Sequence, residues 1–376
     1  MRVLHLVHQY APVVGGTERY MTQLSQELAR RGHRVEVFTS RSTDSSRWDN
    51  TLPRFERRNG VSVRRFDSLP RTWLAWRALD RGLRGHWATG SRLWEPFIFW
   101  GNGPVSPTLF WALLRHGGEY DLVHIGNLHY AHAYLGSLAA RWHNLPVVLS
   151  PLLHVEQRAT YDVGYLHRML RESQAILAVT ASEQRFIREQ GWNREVTVGG
   201  VGLDLGDFPA LDPRESRRRF GIPATARVIL FLGRKTEYKG LDRCLQAFRR
   251  LRQADDQLYF LALGPETEFS QELWRRQGSV PGLVVRDRVS EEERLAALAA
   301  CDVLALPSAG ESFGIVYLEA WAYRKPVVGA RIAAVSALVH HGQDGLLVDP
   351  SDAGELAQAL AFLLSHPEQA SQMGAR

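Results

Sequence analysis

The stretch Val228-Ile229-Leu230-Phe231-Leu232-Gly233-Arg234-Lys235-Thr236-Glu237-Tyr238-Lys239-Gly240 decides the architecture. Its opening apolar run reads as a strand buried on both faces. A polar loop bounded by glycines follows. Leu241, Leu245, Phe248 and Leu251 then mark one stripe of an amphipathic helix. Strand, glycine loop and helix form the unit of a parallel sheet. The N-terminus has the same plan. Val3 to Val7 is apolar, and Gly15-Gly16-Thr17 opens a helix with Met21, Leu24 and Leu28 on one face. Gly32 stands where a helix end wants a positive φ, and Val35 to Thr39 makes the next strand.

The alternation continues through strands at Leu122–Ile125, Val147–Leu149, Ala175–Thr180, Tyr259–Leu263, Leu283–Val285 and Val303–Leu306. Helices are expected at Ala131–Trp142, from near Ser182, at Glu291–Ala300 and at Gly354–Leu364. A chain of 376 residues exceeds the roughly 250–300 at which single cores stop growing. The reading is therefore α/β, with two Rossmann-like doubly wound domains, 1–205 and 206–376, facing across a cleft. Residues 206–226, with Pro209, Pro213, Pro223 and Arg217-Arg218-Arg219, read as a linker. Ligands of such sheets sit at the carboxyl ends of the strands.

Composition excludes disorder, since 45% of the residues are hydrophobic. The two cysteines, Cys244 and Cys301, exclude a disulfide framework and a Cys-rich zinc site. They fit a reducing, cytoplasmic location. The first apolar run is too short for a signal peptide. Net charge is +6, but residues 1–120 hold 18 basic and 10 acidic side chains, so the whole excess lies there. The only lysines are Lys235, Lys239 and Lys325. The N-terminal arginines are scattered, without a recognition motif, so no nucleic-acid partner is expected.

Residues 71–111 break the alternation. They hold Trp73, Trp76, Trp87, Trp94, Trp100 and Trp111, six of the eleven tryptophans, interleaved with Arg71, Arg77, Arg81, Arg84 and Arg92. Glycines and prolines interrupt the apolar pieces, which fall short of the ~20 residues of a membrane span. Two readings remain: a helical elaboration packed on the first domain, slightly favoured because aromatic clusters are usually core, or a peripheral contact with the inner face of a membrane.

The chemistry concentrates in two loops after strands. Arg234 and Lys239 stand between a strand and a helix, where phosphate is held by cations and helix amides. In Pro307-Ser308-Ala309-Gly310-Glu311-Ser312-Phe313-Gly314-Ile315-Val316-Tyr317-Leu318-Glu319, a helix beginning near Phe313 or Gly314 offers the amides of Gly314, Ile315 and Val316. Glu311 and Glu319 would lie ~12 Å apart on a straight helix, so they contact different parts of one ligand rather than sharing a proton.

The spacing of Glu311 and Glu319 resembles the paired-glutamate motif of the retaining glycosyltransferases of family 4. Gly233-Arg234 with Lys239-Gly240 is similar to that family's diphosphate loop. Pro12-Val13-Val14-Gly15-Gly16-Thr17-Glu18 resembles its N-terminal glycine loop, and Gly342 to Pro350 its late Gly-Leu-Leu-Val segment. The order of the set, across residues 3 to 350, makes the resemblance specific. It implies the GT-B fold, with a nucleotide-diphospho-sugar in the C-terminal domain and the acceptor in the N-terminal one. Arg234 and Lys239 would stabilise the leaving diphosphate, so neither metal nor cofactor is expected. Glu319 would bind the ribose diol and Glu311 the donor sugar. Gly233, Phe313, Gly314, Ile315 and Val316 would complete the donor site, Val289 would lie near the base, and Gly15 and Gly16 would let backbone approach the diphosphate. The acceptor would be a saccharide or a lipid-linked molecule of cell-envelope or exopolysaccharide synthesis.

The family also carries a histidine after a Pro-Val-Val-like strand. Strict spacing from Pro146 falls on Leu152; a later variant falls on His154, the catalytic candidate in this domain. His124 and His129 are weaker acceptor-side candidates. Gly200-Val201-Gly202-Leu203-Asp204 replaces a more usual Asn-Gly-Val-Asp. Members usually continue into terminal helices beyond the point where this sequence stops, so a shortened or absent closing element is expected. Rival readings are a nucleotide-sugar 2-epimerase on the same fold and a non-catalytic nucleotide-binding protein.

Overall fold

The computed structural model describes residues 1–13 and 15–376, the side chains of Arg158 and Ala159 excepted. The chain divides into two compact units, Met1–Val201 and Gly202–Arg376.

The first unit contains strands β1 (Arg2–Leu6), β2 (Arg34–Ser40), β3 (Phe55–Arg58), β4 (Val61–Phe66), β5 (Leu122–Gly126), β6 (Val147–Ser150), β7 (Ala175–Ala178) and β8 (Val196–Val198). Its helices are α1 (Gly16–Arg30), α2 (Trp73–Thr89), α3 (Glu95–Asn102), α4 (Pro107–His116), α5 (Ala131–Trp142), α6 (Gly164–Glu172) and α7 (Ala181–Glu189). Among the described residues the strands form one sheet, ordered β3-β4-β2-β1-β5-β6-β7-β8. Only β3 against β4 is antiparallel. That hairpin escaped the sequence reading, although Asn59-Gly60 marks it. Both residues have positive φ, 47° and 83°, as a tight turn between twisted strands requires. Its arginine-rich outer face masked the alternation of buried Val61 and Val63.

The second unit holds β9 (Arg227–Leu232), β10 (Leu258–Leu263), β11 (Leu283–Arg286), β12 (Val303–Leu306), β13 (Val327–Ala330) and β14 (Gly345–Val348). Its helices are α8 (Pro213–Arg219), α9 (Leu241–Arg252), α10 (Glu268–Gln277), α11 (Glu291–Ala300), α12 (Ile315–Ala322), α13 (Ala333–Ser336), α14 (Ala353–Ser365) and α15 (Pro367–Ala375). The sheet order is β11-β10-β9-β12-β13-β14, parallel throughout. This is the Rossmann order, and its reversal between β9 and β12 opens the crevice where such sheets take ligands.

The stretch expected as a linker belongs to the second unit. Phe220 and Ile222 lie in its core. The Arg217 guanidinium donates to both Asp302 carboxylate oxygens, at 2.8 and 3.0 Å, and to the Ala300 carbonyl. Its prolines and arginines open and close α8 rather than separate domains.

Residues 71–111 form helices on the first unit, but their tryptophans are not its core. Where α2 meets α3 the contact runs over small residues, with Ile98 buried beside them. A Cβ at Gly101 would overlap Leu79 and approach the Ala75 carbonyl to 2.8 Å, and one at Gly85 would enter the Trp94 ring. Glycine thus lets α2 and α3 pack closely, while Trp73, Trp76, Trp87, Trp100 and Trp111 are exposed.

Glu183, on α7, is a buried hub of the first unit. Its carboxylate accepts from the amides of Leu153 and Val179, both at 2.8 Å. It thereby ties the segments following β6 and β7. Burial, only partly opposed by these donors, pushes its pKa up to about 7.

Two outcomes follow from this packing. Gly101→Ala forces α2 and α3 apart and should cost about 1–3 kcal/mol in denaturant titrations. Glu183 is raised from the ordinary carboxylate range, so its contribution to stability is full below that range and is lost as pH rises through about 7. Unfolding free energies measured from pH 5 to 8 should therefore decline more steeply for the parent than for Glu183→Gln, by ~3 kcal/mol in total. Equal slopes would place the ionisation elsewhere.

Candidate functional site

The second unit's crevice is assembled from two loops. After β9, Gly233 to Gly240 carries Arg234 exposed to solvent, and a single 3-10 turn, Glu237–Lys239, sets Lys239 inward. After β12, Pro307 to Gly314 carries Glu311, which is 7% exposed. The loops touch through their backbones. The Ala309 amide donates to the Tyr238 carbonyl at 2.7 Å. A Cβ at Gly240 would sit 2.7 Å from the Pro307 carbonyl oxygen, and Gly240 has φ +77°. Glycine is thus required there for conformation and for space.

This contact brings Lys239 and Glu311 together. The ammonium donates to a Glu311 carboxylate oxygen at 2.5 Å, with side chains 15% and 9% exposed. Burial alone would lower the Lys239 pKa. The Glu311 carboxylate, with Tyr238 beside it, outweighs burial, and the net shift is upward. Lys239 is therefore a fixed cation at neutral pH. The sequence reading gave the two residues separate duties and did not foresee the pair.

α12 begins one residue after Gly314, which adopts φ +89° with no side-chain cap. A Cβ there would meet the Tyr317 ring at 2.5 Å. The buried Tyr317 hydroxyl donates to the Leu306 carbonyl at 2.7 Å, locking the start of the helix to the end of β12. The amides of Ile315 and Val316 thus open the helix beside Glu311, as an anion site requires. Phe313 is half-buried in the same loop. Val289 is half-buried after β11, two strands from β9 on the same carboxyl edge.

Glu319 lies inside α12 and is 4% exposed. The Arg294 guanidinium of α11 donates to it at 2.6 Å, within a buried pair. Arg294 also binds Glu291. The sequence reading missed Arg294; its signal was a charged residue in the apolar part of α11. Lys235 was noticed only for its rarity. It is fully buried and donates to the Gly264 and Arg286 carbonyls and to Glu266, at 2.7, 2.6 and 2.6 Å. It pins the ends of β9, β10 and β11 together and cannot reach a ligand.

In the first unit the strand order reverses between β1 and β5, and imidazoles gather there. His129 packs on Tyr130, with centroids 4.0 Å apart, and His8 stacks on the same ring at 4.2 Å. Burial first, and then the neighbouring His8, His154 and Arg71, push His129 down to about 3. His154 is half-buried in the loop after β6, its backbone amide on the Tyr161 hydroxyl at 3.1 Å. Leu152, where strict spacing would put the histidine, is buried and holds φ +57°. His124 is excluded from ligand contact: it is buried in β5, bonded to Ser150 at 2.9 Å, and burial lowers it to about 4.

The glycine loop leads into α1. Gly16 has open space around its Cα, whereas a Cβ at Gly15 would collide with the Glu18 carboxylate. Glu18 is buried and pairs with His8 at 3.1 Å. His8, Glu18 and Tyr130 were not anticipated as site residues; a Glu in the first turn after two glycines was the available signal. Val14 of that loop lies outside the described residues.

Similarity to known proteins agrees with this fold. Residues 15–202 match the model of the glycosyl transferase 4-like domain, and residues 226–366 that of the glycosyl transferases group 1. D-inositol 3-phosphate glycosyltransferase of Geodermatophilus obscurus is 30% identical, over 96% of this chain and 80% of the relative. The Streptomyces scabiei enzyme of the same name is 28% identical, over 96% and 81%. Anabaena HepE, in complex with UDP and glucose, superposes with a TM-score of 0.75 at 19% identity, covering 100% of this chain and 93% of that one. Sucrose-phosphate synthase of Thermosynechococcus elongatus gives 0.73 at 19%, covering 100% and 92%. Two Rossmann-like domains of the GT-B kind, matched along nearly their whole length, place this chain among the group 1 glycosyltransferases with a family 4-like N-terminal domain: it is a glycosyltransferase.

Proposed function

We propose that the enzyme transfers a hexosyl group from a nucleotide-diphospho-sugar to an acceptor hydroxyl, with retention of anomeric configuration and without a metal ion. The observation that carries this reading is the Lys239–Glu311 pair at the reversal point of the second sheet. In the proposal, Lys239 and Arg234 neutralise the diphosphate as the bond from C1 to its oxygen breaks. The amides of Ile315 and Val316 take further phosphate or sugar oxygens. Glu311 receives donor-sugar hydroxyls and holds Lys239 in place until the donor arrives. Glu319, steadied by Arg294, accepts from the ribose diol, and Val289 flanks the base.

Retention follows from attack on the face the diphosphate leaves. The new bond from acceptor oxygen to C1 forms as the old one breaks, and the acceptor proton passes to the departing phosphate oxygen. Glu311 and Glu319 have different partners, Lys239 and Arg294, and do not form the carboxylate pair of a double displacement. In the proposal His154 is the histidine beside the donor sugar and Gly15-Gly16 leave room for backbone to approach its diphosphate, while His129, Tyr130 and His8 shape the acceptor side.

For the acceptor we propose a saccharide or lipid-linked molecule of envelope or exopolysaccharide synthesis, met by a cytoplasmic enzyme at the inner membrane face. A phosphorylated cyclitol is the second reading. The relatives are named for inositol 3-phosphate, and Arg71 stands close enough to His129 and Tyr130 to perturb or be perturbed by them, which suits an anionic acceptor.

Two measurements test these readings. Lys239→Ala should lower kcat/KM by about 10²–10³. Its buried partner is then stranded at a cost of about 3–5 kcal/mol, so Lys239→Met/Glu311→Gln, which removes both charges, separates loss of chemistry from loss of fold. A folded double variant with full transfer would overturn the site. A panel of nucleotide-sugars, scored for nucleotide release with saccharides or with inositol 3-phosphate, should show acceptor-dependent release with an α-linked product from an α-donor. Inverted product would sink retention, and epimerised donor without any acceptor would favour an epimerase.

A further inference from the structure

The insertion between β4 and β5 presents its large rings to solvent. On α2 the small residues Ala75 and Gly82 face inward, while Trp73, Trp76 and Trp87 are 62%, 45% and 52% exposed. At 100° per residue, Trp73, Trp76, Arg77, Asp80, Arg84 and Trp87 share one stripe of the helix. Indoles and guanidiniums alternate along it. Arg77 lies over the Trp73 ring at 5.2 Å, and Arg71, just before the helix, over Trp76 at 3.6 Å. Leu93, Phe97 and Trp100 of the neighbouring turn and helix are also exposed.

The region carries a net positive charge. Residues 71–116 carry six arginines against Asp80 and Glu95. Asp80 is bonded to Arg84 at 2.9 Å, and Glu95 accepts the Gly164 amide at 3.1 Å. Three indoles exposed to this degree present roughly 300 Å² of apolar surface along the helix, about the size of the largest patch on a typical monomer, which is often functional. No helix among the described residues is long and apolar enough to cross a membrane. The arrangement instead suits a surface offering anionic groups and an apolar layer within ~10 Å of each other, so that rings and cations on one helix face are satisfied together.

We infer that the α2 face docks the enzyme peripherally on an anionic phospholipid bilayer, with α2 in the plane of the headgroups. Trp73, Trp76 and Trp87 enter the acyl boundary, and Arg77, Arg81 and Arg84 meet the lipid phosphates. The inference names the surface behind the inner-membrane location proposed above, but it needs no sugar donor or acceptor, and its test is independent of transfer.

The test is co-sedimentation of the full chain with vesicles of phosphatidylcholine alone or mixed with phosphatidylglycerol, together with tryptophan emission. The enzyme should bind the mixed vesicles, shift its emission to the blue and release as salt is raised. Trp73→Ala/Trp76→Ala/Trp87→Ala should weaken binding by about tenfold or more. Arg77→Gln/Arg81→Gln/Arg84→Gln should weaken it on the order of a hundredfold, at roughly fivefold per cation. Thermal melting should stay at the parental value in the arginine variant, which keeps the test valid if loss of the indoles disturbs α2. Absence of binding to mixed vesicles, or undiminished binding by both variants, overturns the inference. So does self-association abolished by the tryptophan changes while vesicles stay unbound, which would assign the face to a second copy of the chain.

Discussion

The functional half of the second unit depends on the contact between the loops that follow β9 and β12. Lys239 and Glu311 are 72 residues apart in sequence and bonded in space. They meet because β9 and β12 are neighbours in the sheet although β10 and β11 intervene in the chain. Gly240 and Gly314 accept backbone conformations that a side chain would resist, and each lies against a neighbour that a Cβ would strike. Lys235 pins the other side of the same edge. The loops of the crevice are thus tied to each other and to the sheet by their own contacts. In the proposed site the shielded cation would meet the diphosphate and the carboxylate the sugar hydroxyls, at little cost of reorganisation.

The first unit meets its reversal point differently. There the side chains are imidazoles and phenols, and burial keeps His129 neutral. Neutral rings can accept or donate hydrogen bonds to hydroxyls without the desolvation cost of a buried ion. Glu183 holds the loop of Leu152 and His154 from beneath. Of the arginines in the first 120 residues, Arg71 lies near His129 and Tyr130, and the buried Arg65 donates to the Ala11 carbonyl of the loop after β1. Others form surface pairs, such as Arg41 and Arg54 with Asp67, or the stripe of α2.

The insertion shows how packing can invert a composition rule. A region with six tryptophans invites the reading of an aromatic core. Its helices instead approach through Gly82 and Gly101, and Gly85 leaves room for one indole, that of Trp94. The other five go to the outside, where Arg71 and Arg77 cover Trp76 and Trp73.

Much of the fold could be read directly from the residues. Apolar runs such as Val228–Leu232 and Val303–Leu306 have one sensible conformation, and glycine loops between such strands and amphipathic helices define doubly wound sheets. The loop positions of Arg234, Lys239 and Glu311, and the helix start after Gly314, were legible because each follows an apolar strand in a local order. What stayed hidden involves partners distant in sequence. The Lys239–Glu311 and Arg294–Glu319 pairs, the inward turn of Lys235, and the burial of His124 are each set by which strands and helices lie side by side. The linker reading failed for the same reason, since only packing shows Phe220 and Ile222 in the core. Local patterns fix backbone conformation through nearby sterics and periodicity, whereas the direction and partner of a charged side chain are settled by the desolvation balance of the assembled interior.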